Sequence, residues 1–268
     1  MIRDITLGQY YPADSVLHRL DPRVKLFGTL LYVISLFLFQ SFTGYIVATV
    51  FLASLIVISK VPVRFMFRGL KAIFVLLIFT AVLNMFLTPG RELFTFWRIT
   101  ITIEGLRFAV FMILRLTYLI TGSSIMTLTT TPSNLTDGLE KSMRWMNILK
   151  VPVHEIAMMM SIALTFIPVL LEETDRIIKA QQARGADFES GNLIRRIRAL
   201  VPILVPLFVS AFRRANDLAL AMEARCYHGG EGRTKMKPLK YKAWDVRAYV
   251  ILFCYLALVV LTAIVSPV

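Results

Sequence analysis

Long apolar blocks alternate with short basic linkers along the chain. Apolar residues run almost unbroken through Leu26–Phe42, Gly44–Ser59, Ala72–Thr88, Phe108–Thr129 and Val246–Val265. Each block is near the ~20 residues a helix needs to cross the hydrocarbon of a bilayer, so the pattern predicts five transmembrane helices. The first two are joined by the uncharged Gln40–Thr43, which reads as a tight hairpin. Between the fourth and fifth blocks the pattern changes. Leu135, Leu139, Met143 and Met146 recur at helical spacing after Pro132 and Ser133. This predicts a short amphipathic helix, with Ser133 offering a cap oxygen, that ends before Pro152. Two further apolar runs, Ile156–Leu171 and Ala199–Phe212, each lead into charged sequence.

Charge decides how these runs sit. Arg3, Arg19, Arg23 and Lys25 precede the first block, and Lys60, Arg64, Arg68 and Lys71 separate the second from the third. The third linker mixes Arg91, Arg98 and Arg107 with Glu92 and Glu104, and its Phe94, Phe96 and Trp97 suit an interfacial aromatic belt. Because basic residues stay on the cytoplasmic side, the N-terminus is expected inside, the third linker outside and the tail Ser266–Val268 outside. A membrane hairpin built from the two later runs would give seven spans and would export Arg176, Lys179, Arg184, Arg195, Arg196 and Arg198. Pro202 and Pro206 would also loosen its second helix. The expectation is therefore an all-α integral membrane protein of about five spans, with three cytoplasm-facing helices between spans four and five. Residues 1–130 form the N-terminal arm and spans one to four, 131–242 the cytoplasm-facing helices and a basic linker, and 243–268 the last span.

Composition supports this: 57% of residues are apolar, 18% are charged, and the mean hydropathy is +0.68. A soluble enzyme and a disordered chain are excluded. The net charge of +13 gathers in the linkers between blocks, which makes the lipid bilayer the expected partner, not nucleic acid. Arg233, Lys235, Lys237, Lys240 and Lys242 read as a solvated linker held near anionic lipid. Cys226 and Cys254 lie in different kinds of sequence, so no disulfide framework is expected. Nothing resembles a nucleotide-binding P-loop or a His-Glu-x-x-His zinc site, and His18, His154 and His228 stand apart. Glu172-Glu173 with Arg176 is one residue short of a membrane-protease motif and reads as a solvated helix face. Arg115, inside the fourth block, is costly there and needs a structural partner or a transport role; Asn84 is a candidate partner. An intramembrane enzyme lacks a catalytic set, and a self-sufficient carrier would need a polar site or inverted repeat within its spans.

One pattern repeats. Ile177-Ile-Lys-Ala-Gln-Gln-Ala-Arg-Gly185 aligns without gaps on Leu218-Ala-Leu-Ala-Met-Glu-Ala-Arg-Cys226, which sets Arg184 and Arg225 41 residues apart. A cation near a helix C-terminus is favoured by the macrodipole alone. Here, however, each arginine extends an apolar stripe three, four and seven residues back: Ile177, Ala180 and Gln181 in one case, Leu218, Ala221 and Met222 in the other. Ala183 and Gly185, like Ala224 and Cys226, leave the backbone open to close approach. Gly185 is a natural left-handed cap, whereas Cys226 suggests that Gly229-Gly230 stops the second helix. Two such ends suit two acidic grooves on a dimeric or pseudo-dimeric partner.

Paired Ala-Arg-Gly-type endings in this layout resemble the T component of energy-coupling factor transporters. The segments Leu17-His-Arg-Leu-Asp-Pro-Arg-Val-Lys-Leu26, Thr131-Pro-Ser-Asn-Leu-Thr-Asp-Gly-Leu-Glu140, Pro152-Val-His-Glu155, Phe166-Ile-Pro168 and Ala183-Arg-Gly-Ala-Asp-Phe188 are similar too. The resemblance implies a non-catalytic subunit of an importer in a bacterial cell membrane. Two ATP-binding-cassette ATPases would hold Ala183–Gly185 and Ala224–Cys226, and ATP would bind to them alone. A membrane-embedded S component would capture a vitamin or other micronutrient. The soft side chains of Met143, Met146, Met158, Met159 and Met160 are expected to face that S component.

Overall fold

The computed structural model describes residues 10–39, 41–66, 68–89, 91–96, 99–186, 188, 192–230, 236 and 238–265. Arg3, Trp97, Arg98, Asp187, Arg233, Lys235, Lys237 and the tail Ser266–Val268 lie outside the described residues. The chain divides into two compact units.

One unit holds residues Gly8–Lys141 and Leu239–Val268. Its helices are α1 (Val16–Arg19), α2 (Pro22–Leu38), α3 (Phe42–Ser59), α4 (Val63–Met66), α5 (Arg68–Leu87), α6 (Ile103–Thr129), α7 (Pro132–Ser142) and, after the second unit, α10 (Ala243–Val265). All five predicted apolar blocks are helices. The third linker departs from the all-helical expectation: Glu92–Phe96 (β1) and Ile99–Thr102 (β2) form an antiparallel ribbon. Alternating Thr and Ile in Ile99–Thr102 favour a pleated strand over a helix.

α6 lies antiparallel to α2, and each helix caps the other. Lys25 Nζ on α2 donates to the Thr129 carbonyl oxygen at 2.8 Å and to Thr130 Oγ at 3.2 Å, at the C-terminus of α6. Arg115 on α6 donates to the carbonyl oxygen of Phe39, the C-cap of α2, at 3.4 Å, and lies over the Phe37 ring. A helix C-terminus carries unpaired carbonyls and partial negative charge, so each cation sits where it is favoured. Arg115 thus has a structural partner, but it is not Asn84, whose amide donates to Thr80 on its own helix at 2.8 Å. Between the two caps lies a core of Tyr32, Leu36, Phe39, Tyr45, Leu52, Ile125, Tyr255 and Val259. Tyr255 stacks on Phe51 with centroids 4.0 Å apart and shares a 2.8 Å hydrogen bond with Ser35.

Two segments quoted for the family resemblance meet in this unit. Asp21 accepts the Arg23 N–H at 2.9 Å as N-cap of α2, with Pro22 at its first position. The buried Asp245 accepts the Asp21 N–H at 2.8 Å and the Lys242 N–H at 2.7 Å, which joins the starts of α2 and α10. Gly138 of α7 packs against Pro22 so closely that a Cβ there would fall 2.8 Å from the proline Cβ. α7 therefore rests on the beginning of α2. Its N-cap is Thr131, whose Oγ accepts the Asn134 N–H at 3.4 Å, and not Ser133; Pro132 takes the first turn, where its missing N–H costs nothing.

The second unit covers Ser142–Pro238. The expected amphipathic helix stops at Ser142, and Arg144–Leu149 continues as a 3-10 turn. Two long helices follow, α8 (Val153–Ala183) and α9 (Leu193–Ala224). Four described helices, α3, α6, α8 and α10, are long and apolar enough to cross a bilayer. α2, at 17 residues, is shorter, and α5 contributes Ile73–Met85 as an apolar stretch among the described residues. α8 thus meets the length and hydropathy of a span, although its charge led to a cytoplasm-facing expectation.

Candidate functional site

The repeated arginines occupy the same position on two helices. α8 ends at Ala183 with Arg184 as C-cap, and α9 ends at Ala224 with Arg225 as C-cap. After Arg184, the Gly185 N–H donates to the Gln182 carbonyl and the Ala186 N–H to the Gln181 carbonyl, both at 2.9 Å. After Arg225, Cys226 donates to Glu223 at 2.9 Å and Tyr227 to Met222 at 3.1 Å. Both are Schellman caps, which need a left-handed residue one place beyond the C-cap. Gly185 supplies it at φ 87° and Cys226 at φ 54°. The expectation that Gly229-Gly230 stops α9 is overturned: Cys226 adopts the strained conformation and stops the helix itself. Both guanidinium groups are exposed, and among the described residues neither makes a hydrogen bond or ion pair.

Side chains hold α8 against α9. Pro206 has no N–H, so the carbonyl of Pro202, four residues earlier, loses its helical donor. Gln181 Nε2 donates to that oxygen at 3.2 Å. α9 therefore runs unbroken through Pro202 and Pro206, contrary to the expectation that they loosen it. Gln181 stands three residues before Arg184, so the stripe behind this arginine turns partly toward α9. Ile177, Gln181, Leu218 and Met222 are half-buried, while Ala180 and Ala221 are exposed.

A second link, between Glu173 Oε2 and Arg214 Nη2 at 3.4 Å, fixes the geometry of the pair. These residues are 41 apart, the same offset that maps Arg184 onto Arg225. Equivalent positions of the repeat therefore meet each other, as they do across a local two-fold axis. The helices run antiparallel, so Arg184 and Arg225 lie in opposite directions from this link, each roughly 16 Å away at ~1.5 Å rise per residue. Gly230, just beyond Arg225, packs on His154 at the start of α8, which agrees with that direction.

The five methionines lie in the same unit. Met143, Met159 and Met160 are exposed, and Met146 and Met158 are half-buried. Among the described residues no group of three His, Cys, Asp or Glu could hold a metal ion. The sequence reading missed Gln181, Glu173 and Arg214. The proline four residues after Pro202 was the available signal for the first.

A multi-pass helical membrane protein with two matched, outward-ending helices is the class that these features define. The family model described as "Cobalt transport protein" (CbiQ) matches residues 13–236. The chain is 55% identical over 261 residues to an energy-coupling factor transporter transmembrane protein EcfT from Clostridium kluyveri, covering 97% of this chain and 96% of that one. It is 51% identical to the protein of the same description from Thermosediminibacter oceani, over 93% of this chain and 94% of the other. The Lactococcus lactis protein so described is 42% identical over 99% of this chain and 100% of its own. The chain belongs to this family, as a transmembrane component of an energy-coupling factor transporter.

Proposed function

We propose that this chain couples two ABC-type ATPases to a membrane-embedded S component for uptake of a vitamin or micronutrient into a bacterial cell. It hydrolyses nothing and binds no ATP. The observation that carries the reading is the Glu173–Arg214 link between equivalent repeat positions. A local two-fold relation presents two alike helix ends to a partner that is itself two-fold, such as a pair of ATPases. Each exposed arginine enters one acidic groove, with Ala183 and Gly185, or Ala224 and Cys226, allowing close approach. The unit bearing Met143, Met146 and Met158–Met160 faces the S component. The N-terminus lies in the cytoplasm and the C-terminus outside, with five spans; residues 131–242 act as the coupling region.

The test is ATPase pull-down and substrate uptake at equal membrane levels of each variant. Arg184→Ala or Arg225→Ala should weaken assembly. Losing one partner of a desolvated interfacial charge pair costs about 2–5 kcal/mol. The double change should abolish both retention and transport. Arg184→Glu should be worse than alanine, and lysine should rescue only in part because it lacks the bidentate fork. A double-alanine chain that retained both ATPases and transported normally would overturn the assignment.

A further inference from the structure

We propose that a cleft in the helical bundle is a phospholipid site, in which one acyl chain fills the cleft and an anionic headgroup rests on Arg247. The cleft has a volume of about 270 Å³ and opens between α2, α3, α6 and α10. Along α2 it extends from Val24 to Tyr32, roughly 12 Å at 1.5 Å per residue, which is the scale of the upper part of an extended acyl chain. Its inner wall is apolar, with Phe51, Leu55, Ile125 and Leu252.

Charge is confined to one end. Lys25, Thr129, Trp244 and Arg247 line the cleft where α2 and α10 begin and α6 ends. Among the described residues that line it there is no carboxylate. Lys25 is already committed to the Thr129 carbonyl. Arg247 is exposed, lies 5.0 Å from the Trp244 ring centroid, and has no anionic partner among the described residues. An exposed tryptophan and an exposed guanidinium at the mouth of an apolar slot match the two parts of a phospholipid: headgroup level and hydrocarbon. The uncompensated positive charge selects an anionic headgroup over a zwitterionic one.

The full chain, purified in mild detergent, would be mixed with phosphatidylglycerol or phosphatidylcholine of identical chains and read by native mass spectrometry. Phosphatidylglycerol should be retained about fivefold over phosphatidylcholine, the preference expected of one basic residue at the surface. Arg247→Gln should bring the two lipids to parity, and Ala248→Phe, which fills the slot, should remove both. If Ala248→Phe fails to fold, phosphatidylglycerol brominated along its chain should quench Trp244 fluorescence in a chain whose Trp97 and Trp145 are replaced by Phe. Equal retention of the two lipids by the unaltered chain, a preference that survives Arg247→Gln, retention by folded Ala248→Phe, or absence of quenching would each overturn the proposal.

Discussion

Glu173 and Arg214 meet across α8 and α9 at 3.4 Å, and they are separated by the same 41 residues that separate Arg184 from Arg225. A repeat in sequence is thereby also a repeat in space. The link is half-exposed, with side-chain exposures of 27% for Glu173 and 39% for Arg214, so its own contribution is modest. Arg214 Nε, by contrast, is buried without a hydrogen-bond partner among the described residues, which makes the guanidinium sensitive to losing its carboxylate. Glu173→Arg should therefore destabilise the pair of helices, and adding Arg214→Glu should restore it. A double-mutant cycle on denaturant unfolding should give a coupling of about 0.5–1 kcal/mol. A coupling of zero would leave the pair as a coincidence of packing.

The two helix stops differ at their left-handed residue. Gly185 takes the left-handed conformation freely, while Cys226 takes it against the clash of its Cβ with the carbonyl. Cys226→Gly should raise stability by about 0.5–1 kcal/mol, and Gly185→Ala should lower it by about 1–2 kcal/mol. Thermal unfolding of the purified chain reads both. The reverse order would mean that neither cap bears load.

Near the N-terminus, His18 Nε2 lies 3.0 Å from the Tyr11 carbonyl oxygen and Nδ1 lies 2.7 Å from Ser15 Oγ. The carbonyl can only accept, so Nε2 carries the proton and the serine hydroxyl donates to Nδ1. Burial lowers the pKa of this histidine below its usual 6.5. The folded state then binds fewer protons than the unfolded state. Its contribution is complete above pH 6.5 and is lost as the pH falls from there through the lowered value. His18→Gln should flatten that part of the stability profile; an unchanged slope would rule the histidine out as its source.

Sidedness is the fourth expectation. Asn192 is exposed at the start of α9. With Cys226 and Cys254 replaced by serine, Asn192→Cys should resist an impermeant maleimide in intact cells and react after permeabilisation. Labelling from outside would make α8 a true span and give the seven-span arrangement.

The apolar helices were legible because transfer into lipid acts on composition over some twenty residues. The arginine repeat was legible because both stops need the same spacing. The lateral links were hidden. Glu173 reads as one charge on a solvated face, and only the antiparallel register reveals Arg214 opposite. Ile99–Thr102 is too short for a span and too β-branched for a helix, so the ribbon was lost inside a linker judged by its charges. The helix stop at Cys226 was misread because residue type was weighed above position, although the alignment with Gly185 already marked the place.

The crossed caps of α2 and α6 limit how these two helices can move against each other. Lys25 is held at one end of the pair by Thr129, and Arg115 at the other by Phe39. A piston stroke of one helix along the other by a single residue, ~1.5 Å, would strain both contacts together, at the Thr129 and Phe39 carbonyls. Tilting the two helices as one rod breaks neither. The pair is built to lean, not to slide.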